Sequence, residues 1–176
     1  MRIGIDARFF GPKQKGIGRY SKKLITHLQK HDNENEYFIF LQEDQYNKIS
    51  FNNKNFHKIL ANFKIYSLKE QLLFPFLLYK YKLDLVHFVN FNVPILYFKK
   101  FIVTIHDLIT HNKKKDSSKL PFILFYIKKI IYKFIIRWAV KFSKKIITVS
   151  NYTKKTIINK FNVNPKKIIV IYEACK

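Results

Sequence analysis

Four short apolar runs, each halted by a polar or titratable residue, constrain this chain more than any other feature. Arg2-Ile3-Gly4-Ile5 stops at Asp6, and Leu83-Asp84-Leu85-Val86 stops at His87. Phe101-Ile102-Val103-Thr104-Ile105 stops at His106-Asp107, and Lys145-Ile146-Ile147-Thr148-Val149 stops at Ser150-Asn151. Most are followed, after a loop, by an amphipathic segment of helix length. Short buried strands alternating with helices imply an α/β fold built on a parallel sheet. Parallel strands share one direction, so their C-terminal ends share one edge. The residues that end the runs are therefore expected to line a single crevice, where open α/β sheets bind ligands.

The intervening sequence fills in the alternation. A loop holding Gly11 and Pro12 leads to a helix over about 16–30, with Ile17, Tyr20, Leu24, Ile25 and Leu28 on one face. Residues 36–41 are apolar almost throughout and read as a central strand. Residues 42–55 are polar and Asn-rich and read as a loop, with a further strand expected over 56–60. Ser67-Leu68-Lys69-Glu70 has the spacing of a capping box, so a helix is expected from there to about Tyr81, kinked at Pro75. A charged surface loop is expected over 113–119, a long helix over 121–142, a helix over 151–161 and a last strand over 167–172. The chain then stops at Glu173-Ala174-Cys175-Lys176, which reads as an interrupted chain.

At 176 residues the chain has one domain's length, and 48% hydrophobic content supports a folded core. With 34 Lys+Arg against 11 Asp+Glu, the formal charge is +23. Such a surface favours anionic partners: phosphorylated substrates, anionic lipid or nucleic acid. Richness in Lys, Asn, Ile and Phe is also the bias of an AT-rich genome, so drift and selected electrostatics both remain open as causes. The single cysteine, Cys175, excludes an internal disulfide. The N-terminal residues lack the features of a secretory leader, and a cytoplasmic location is expected. In the long helix Lys129, Lys133, Arg137 and Lys141 recur every four residues, which is too charged for a membrane span. Two readings fit this stripe: a core helix with one solvated face, or a helix resting on an anionic bilayer.

Candidate site residues follow from the expected edge. Gly16 and Gly18 sit where a loop enters a helix, and there glycine permits close approach of an anion to free N–H groups. A plain turn explains them equally well, since G-x-G lacks a third glycine and no Walker lysine follows. His106 can hydrogen-bond a sugar hydroxyl or exchange a proton, and Asp107 can orient it or cap the next turn. His87 is a weaker case of the same kind. Asp6 is expected to hold the glycine loop or Arg8. Ser150 and Asn151 read as a helix N-cap, with phosphate or sugar contact as the functional alternative. The six histidines (His27, His31, His57, His87, His106, His111) lack zinc-hydrolase spacing, so no metal is expected. No motif for specific nucleic-acid recognition is present.

Taken in order, these pieces resemble the N-terminal half of a family 4 retaining glycosyltransferase of the GT-B fold. The matching segments are Arg2 to Arg8, Gly16-Ile17-Gly18-Arg19-Tyr20, Asp84-Leu85-Val86-His87-Phe88 with Asn92-Val93-Pro94, Val103 to Leu108, Ile147 to Lys154, and Val170-Ile171-Tyr172-Glu173. The resemblance implies a Rossmann-like, doubly wound parallel sheet with helices on both faces, residues 1–176 forming the acceptor-side domain. It implies a hexose transferred from a nucleotide diphosphate sugar to a glycan or lipid-linked acceptor. No cofactor is implied beyond that donor substrate. Gly16 and Gly18 would approach the donor diphosphate, His106 with Asp107 would act at the transferred sugar, and His87, Asn90, Asn92, Ser150 and Asn151 would face sugar or acceptor. Many relatives read His-x-Pro-His where this chain has His87-Phe88-Val89-Asn90, and Asn90 cannot titrate. The family's donor-binding half would lie beyond Lys176, so this chain alone is expected to be inactive, at most peripheral to the inner membrane face. A second reading is a basic binding module that docks on anionic lipid or nucleic acid without catalysis. Lys113, Lys114, Lys115, the Lys129–Lys141 stripe and Lys166-Lys167 support it, and a scattered solvated surface explains them too.

Overall fold

The computed structural model describes residues 1–11, 15–108 and 121–173. Pro12, His111, the expected loop at 113–119, and Ala174-Cys175-Lys176 lie outside the described residues. The strands are β1 (Arg2–Asp6), β2 (Glu36–Leu41), β3 (Phe56–Leu60), β4 (Leu85–Phe88), β5 (Phe101–Ile105), β6 (Lys145–Thr148) and β7 (Ile168–Val170). The helices are α1 (Lys15–His31), α2 (Glu43–Tyr46), α3 (Leu68–Lys80), α4 (Phe122–Phe142) and α5 (Asn151–Phe161). The strands form one seven-stranded sheet in the order β3-β2-β1-β4-β5-β6-β7. Every pairing in it is parallel. This is the doubly wound, Rossmann-like α/β arrangement, with its switch point between β1 and β4.

Alternate residues of each central strand feed different cores, which is why β2 reads as apolar throughout. Phe38 and Phe40 join one cluster with Phe74 and Leu78 of α3, Ile136, Ala139 and Val140 of α4, and Ile157 of α5. Tyr37, Ile39 and Leu41 join the opposite cluster with Ile25 of α1. Thus α1 covers one face of the sheet, and α3, α4 and α5 cover the other.

Local chemistry departs from expectation in three places. The polar stretch after β2 contains α2, one turn whose first residues Glu43 and Asp44 suit a helix N-terminus. The last strand is shorter than expected, because Pro165–Lys167 forms a 3-10 turn capped by the Asn164 side chain. The capping box is only half made. Ser67 accepts from Glu70 N at 3.2 Å. The Glu70 carboxylate instead accepts from Tyr66 N at 2.6 Å, across a Tyr66 backbone held at φ 62.

Candidate functional site

The C-terminal edge of the sheet carries a cavity of about 520 Å³ lined by Lys15, Gly16, Ile17, His106, Asp107, Val149 and Glu173. Four elements meet there: the start of α1 and the residues just past β5, β6 and β7. The run-ending logic thus brings Gly16, His106, Asp107 and the Ser150 neighbourhood to one rim.

His106 is the first residue past β5, and its side chain is 15% exposed. Its Nδ1 lies 3.1 Å from Glu173 Oε1, and its Nε2 lies 3.2 Å from the Val89 carbonyl beyond β4. Both partners are acceptors, so the ring donates, and the tautomer decides to which oxygen. The Tyr20 ring meets it edge-on at 4.9 Å between centroids. A ring gripped on three sides has a fixed aim, which a group reading one hydroxyl needs.

Beneath the rim the polar groups are buried and serve one another. His87 lies within β4, opposite Ile5 and Ile102, rather than past its end. This corrects the expected rim position: β4 runs on through Phe88, so the ring stays inside. Its Nε2 is 2.8 Å from Thr104 Oγ1, which is also 3.1 Å from the Tyr20 hydroxyl. Burial, aided by the nearby His106 and opposed by Asp6, pulls the His87 pKa down to about 4, so the ring is neutral at pH 7.

Asp6 and Arg8 form a two-pronged pair, with Arg8 Nε 2.7 Å from Oδ1 and Nη2 2.8 Å from Oδ2. Arg8 Nη1 reaches Glu70 Oε1 at 2.7 Å, and the guanidinium lies 3.9 Å above the Phe74 ring centre. Burial pushes the Glu70 carboxyl above its ordinary range, against the pull of Arg8, whose charge Asp6 shares. Asn92 donates to Glu70 Oε1 at 2.6 Å, and Asn90 Oδ1 accepts from Asn92 N at 3.2 Å. Asn90 and Asn92 are therefore buried members of this network.

The remaining candidates divide similarly. Gly18 is buried, and a Cβ there would collide with the Gly11 carbonyl oxygen, so this glycine lets α1 pack against its own entry loop. Gly16 faces open space, with nothing within 4 Å of a Cβ placed there. Ser150 caps α5, its hydroxyl accepting from Thr153 N at 3.1 Å. Asn151 donates to the Tyr172 hydroxyl at 2.7 Å. Among the described residues no group of three His, Cys, Asp or Glu is placed to hold a metal ion.

A second hollow of about 840 Å³ shares Lys15 and Gly16 and adds Arg19, Lys22 and Lys48, between α1 and residues 45–51. Sequence reasoning missed it, because Lys48 arrives from a stretch read as featureless loop. Glu173 was missed as a site residue for a simpler reason. It ends a fifth apolar run, Ile168 to Tyr172, which reads as the last strand, and the resemblance gives Glu173 a matching position without a role.

With this geometry in hand, comparison with known families is decisive. The profile described as Glycosyltransferase Family 4 matches residues 14–174. The chain belongs to this family. Among solved structures, this family 4 chain is similar to the wall teichoic acid polymerase TagF, with TM-score 0.59 and 12% identity over 97% of this chain and 38% of that one. A variant of the same polymerase matches with TM-score 0.59 and 14% identity over 98% and 38%. A glycosyltransferase from Rickettsia africae ESF-5 aligns at 18% identity over 97% and 42%, with TM-score 0.44. At these identities the polymerase likeness bears on fold. The chain spans well under half the length of these structures. No curated protein matches it in sequence.

Proposed function

We propose that this chain is the acceptor-side domain of a retaining glycosyltransferase that moves a hexose from a nucleotide diphosphate sugar to a glycan or lipid-linked acceptor. The observation that carries this reading is the rim cavity, lined by Gly16, His106 and Glu173, in a chain of family 4. In the reaction the bond between the anomeric carbon and the diphosphate oxygen breaks. A new bond forms from that carbon to the acceptor hydroxyl oxygen on the same face, and the hydroxyl proton passes to the departing diphosphate.

Each rim group has work in that step. Negative charge grows on the diphosphate, and the amino end of α1 offers it free N–H groups and the positive end of the helix dipole. Gly16 leaves that approach open, and Lys15 adds a cation beside it. His106, held by Tyr20 and the Val89 carbonyl, hydrogen-bonds a hydroxyl of the sugar or acceptor through Nδ1, the hydroxyl taking the place of the exposed Glu173 carboxylate. Gly18 supports the entry loop of α1. The cations Arg19, Lys22 and Lys48 in the neighbouring hollow favour an acceptor with an anionic group. Turnover is proposed to need a donor-binding domain in addition.

The test is mass spectrometry of a longer form carrying a donor-binding domain, incubated with a panel of nucleotide-sugars. Release of nucleoside diphosphate together with a glycosylated acceptor from one donor is expected. No release from any donor would contradict the reading.

A further inference from the structure

The long helix α4 is apolar on two opposite faces. Phe125, Ile136, Ala139 and Val140 face inward and are buried. Ile123, Ile127, Ile130 and Phe134 follow one another at steps of four, three and four, which places them on one face. That face points outward: Ile123 is 71% exposed, Ile130 67% and Phe134 54%. A helix on the surface of a globule normally turns a polar face to water, and one apolar all round is normally covered. The neighbouring α3, packed on the same side of the sheet, adds exposed Leu72 and Phe76.

Charge decides what covers this face. The α4 sequence holds Lys128, Lys129, Lys133, Arg137 and Lys141 and no acidic residue. On a helical projection Lys133 and Arg137 border the outward apolar face on one side, Lys128 lies beyond its other side, and the exposed Lys141 falls on it at the carboxyl end. A second copy would bring the same cations against these, in a chain of formal charge +23. An anionic bilayer satisfies both features at once. The apolar side chains enter the acyl boundary while the lysine stems reach back to the phosphates. No described helix is long and apolar enough to cross a membrane, so α4 would lie in the surface.

We propose that the outward face of α4, continued by α3, docks this chain flat on a bilayer rich in anionic headgroups. The connection gives the docked face a further property. Because β5 ends at the crevice edge and α4 runs back along the sheet, the amino-terminal end of α4 lies on the same side of the molecule as His106. The exposed Ile123 and Ile127 are at that end, so docking brings the rim cavity close to the lipid surface. The docking face is separate from the rim cavity, and its test does not depend on sugar transfer.

The experiment is co-flotation of the purified chain with vesicles of phosphatidylcholine alone, or with one quarter phosphatidylglycerol, across a salt series. The single tryptophan, Trp138, lies on α4 and reports insertion through quenching by brominated lipid. Wild type is expected to float with the anionic vesicles and to show quenching. Ile127→Glu with Ile130→Glu is expected to cut partitioning by about tenfold or more at every salt concentration. Lys133→Gln with Arg137→Gln should cut it at low salt only. If circular dichroism shows the glutamate pair misfolded, Ile127→Ser with Ile130→Ser carries the same expectation. The proposal is overturned if the isoleucine variants float like wild type, or if Trp138 is not quenched. It is also overturned if light scattering shows a dimer that those variants dissolve, or if DNA is retained through the same isoleucines while vesicles are not.

Discussion

His87 and His106 look alike in sequence and end up in opposite environments. Each closes an apolar run that becomes a strand. Yet β4 continues through Phe88, which keeps His87 in the ladder, buried and neutral beside Thr104. Strand β5 stops at Ile105, which releases His106 onto the rim between Glu173 and Val89. Two residues of strand length separate a histidine held inside the sheet from one that lines the rim cavity. The same division runs through the whole edge. Asp6, Arg8, Glu70, Asn92 and Gly18 lie beneath the rim and hold it up, whereas Gly16, His106 and Glu173 line the opening.

The sharpest way to break this comparison is to remove a group from below the rim. Arg8→Ala leaves two buried carboxylates without their shared cation and is expected to cost about 3–5 kcal/mol. Urea denaturation reads this directly, and a loss below about 1 kcal/mol would mean that the network supports little.

Acid provides the next test. The His87 pKa is about 4 when folded against an ordinary 6.5, so the unfolded chain binds more protons between those values. Stability from this group is therefore full above pH 6.5 and declines as pH falls towards 4, by about 3 kcal/mol in total. Denaturation measured against pH should show that slope flattened in His87→Gln. An unchanged slope would place the ring in contact with water.

The two glycines should separate more modestly. Gly18→Ala forces its Cβ into the Gly11 carbonyl and is expected to cost about 1–3 kcal/mol. Gly16→Ala meets open space, and its thermal midpoint should correspond to a change within about 0.5 kcal/mol. Equal losses would erase the distinction drawn between them.

A small effect on stability is also expected from the histidine at the rim. His106→Ala should shift the unfolding midpoint by an amount worth less than about 1 kcal/mol. In a form competent for transfer it should still lower turnover at least tenfold, an order typical of one positioned polar group. Wild-type turnover would reduce His106 to a structural role.

Much of the fold was legible because buried parallel strands announce themselves as short apolar runs, and all four opening runs became strands. The residue after each histidine carried the finer signal. An apolar Phe88 follows His87 and extends the strand, while a charged Asp107 follows His106 and ends it. Other features were hidden for physical reasons. Helix α2 is one turn long, too short for any period to show. Glu70 reads as a local cap, yet its carboxylate reaches Arg8 and Asn92, far off in sequence, and local spacing does not encode such contacts. The outward apolar face of α4 was masked by its regular lysines, which made a solvated basic face the natural reading. Only the burial of the opposite face shows that the isoleucines between the lysines are left outside.

The most direct test of the rim as the ligand site is amide NMR of the ¹⁵N-labelled chain during titration with nucleotide diphosphate sugars. Shifts are predicted to concentrate on Lys15, Gly16, Ile17, His106, Val149 and Glu173, at the carboxyl ends of the strands. Shifts gathered instead at the opposite strand ends, around Arg2, Glu36 and Lys145, would contradict the account.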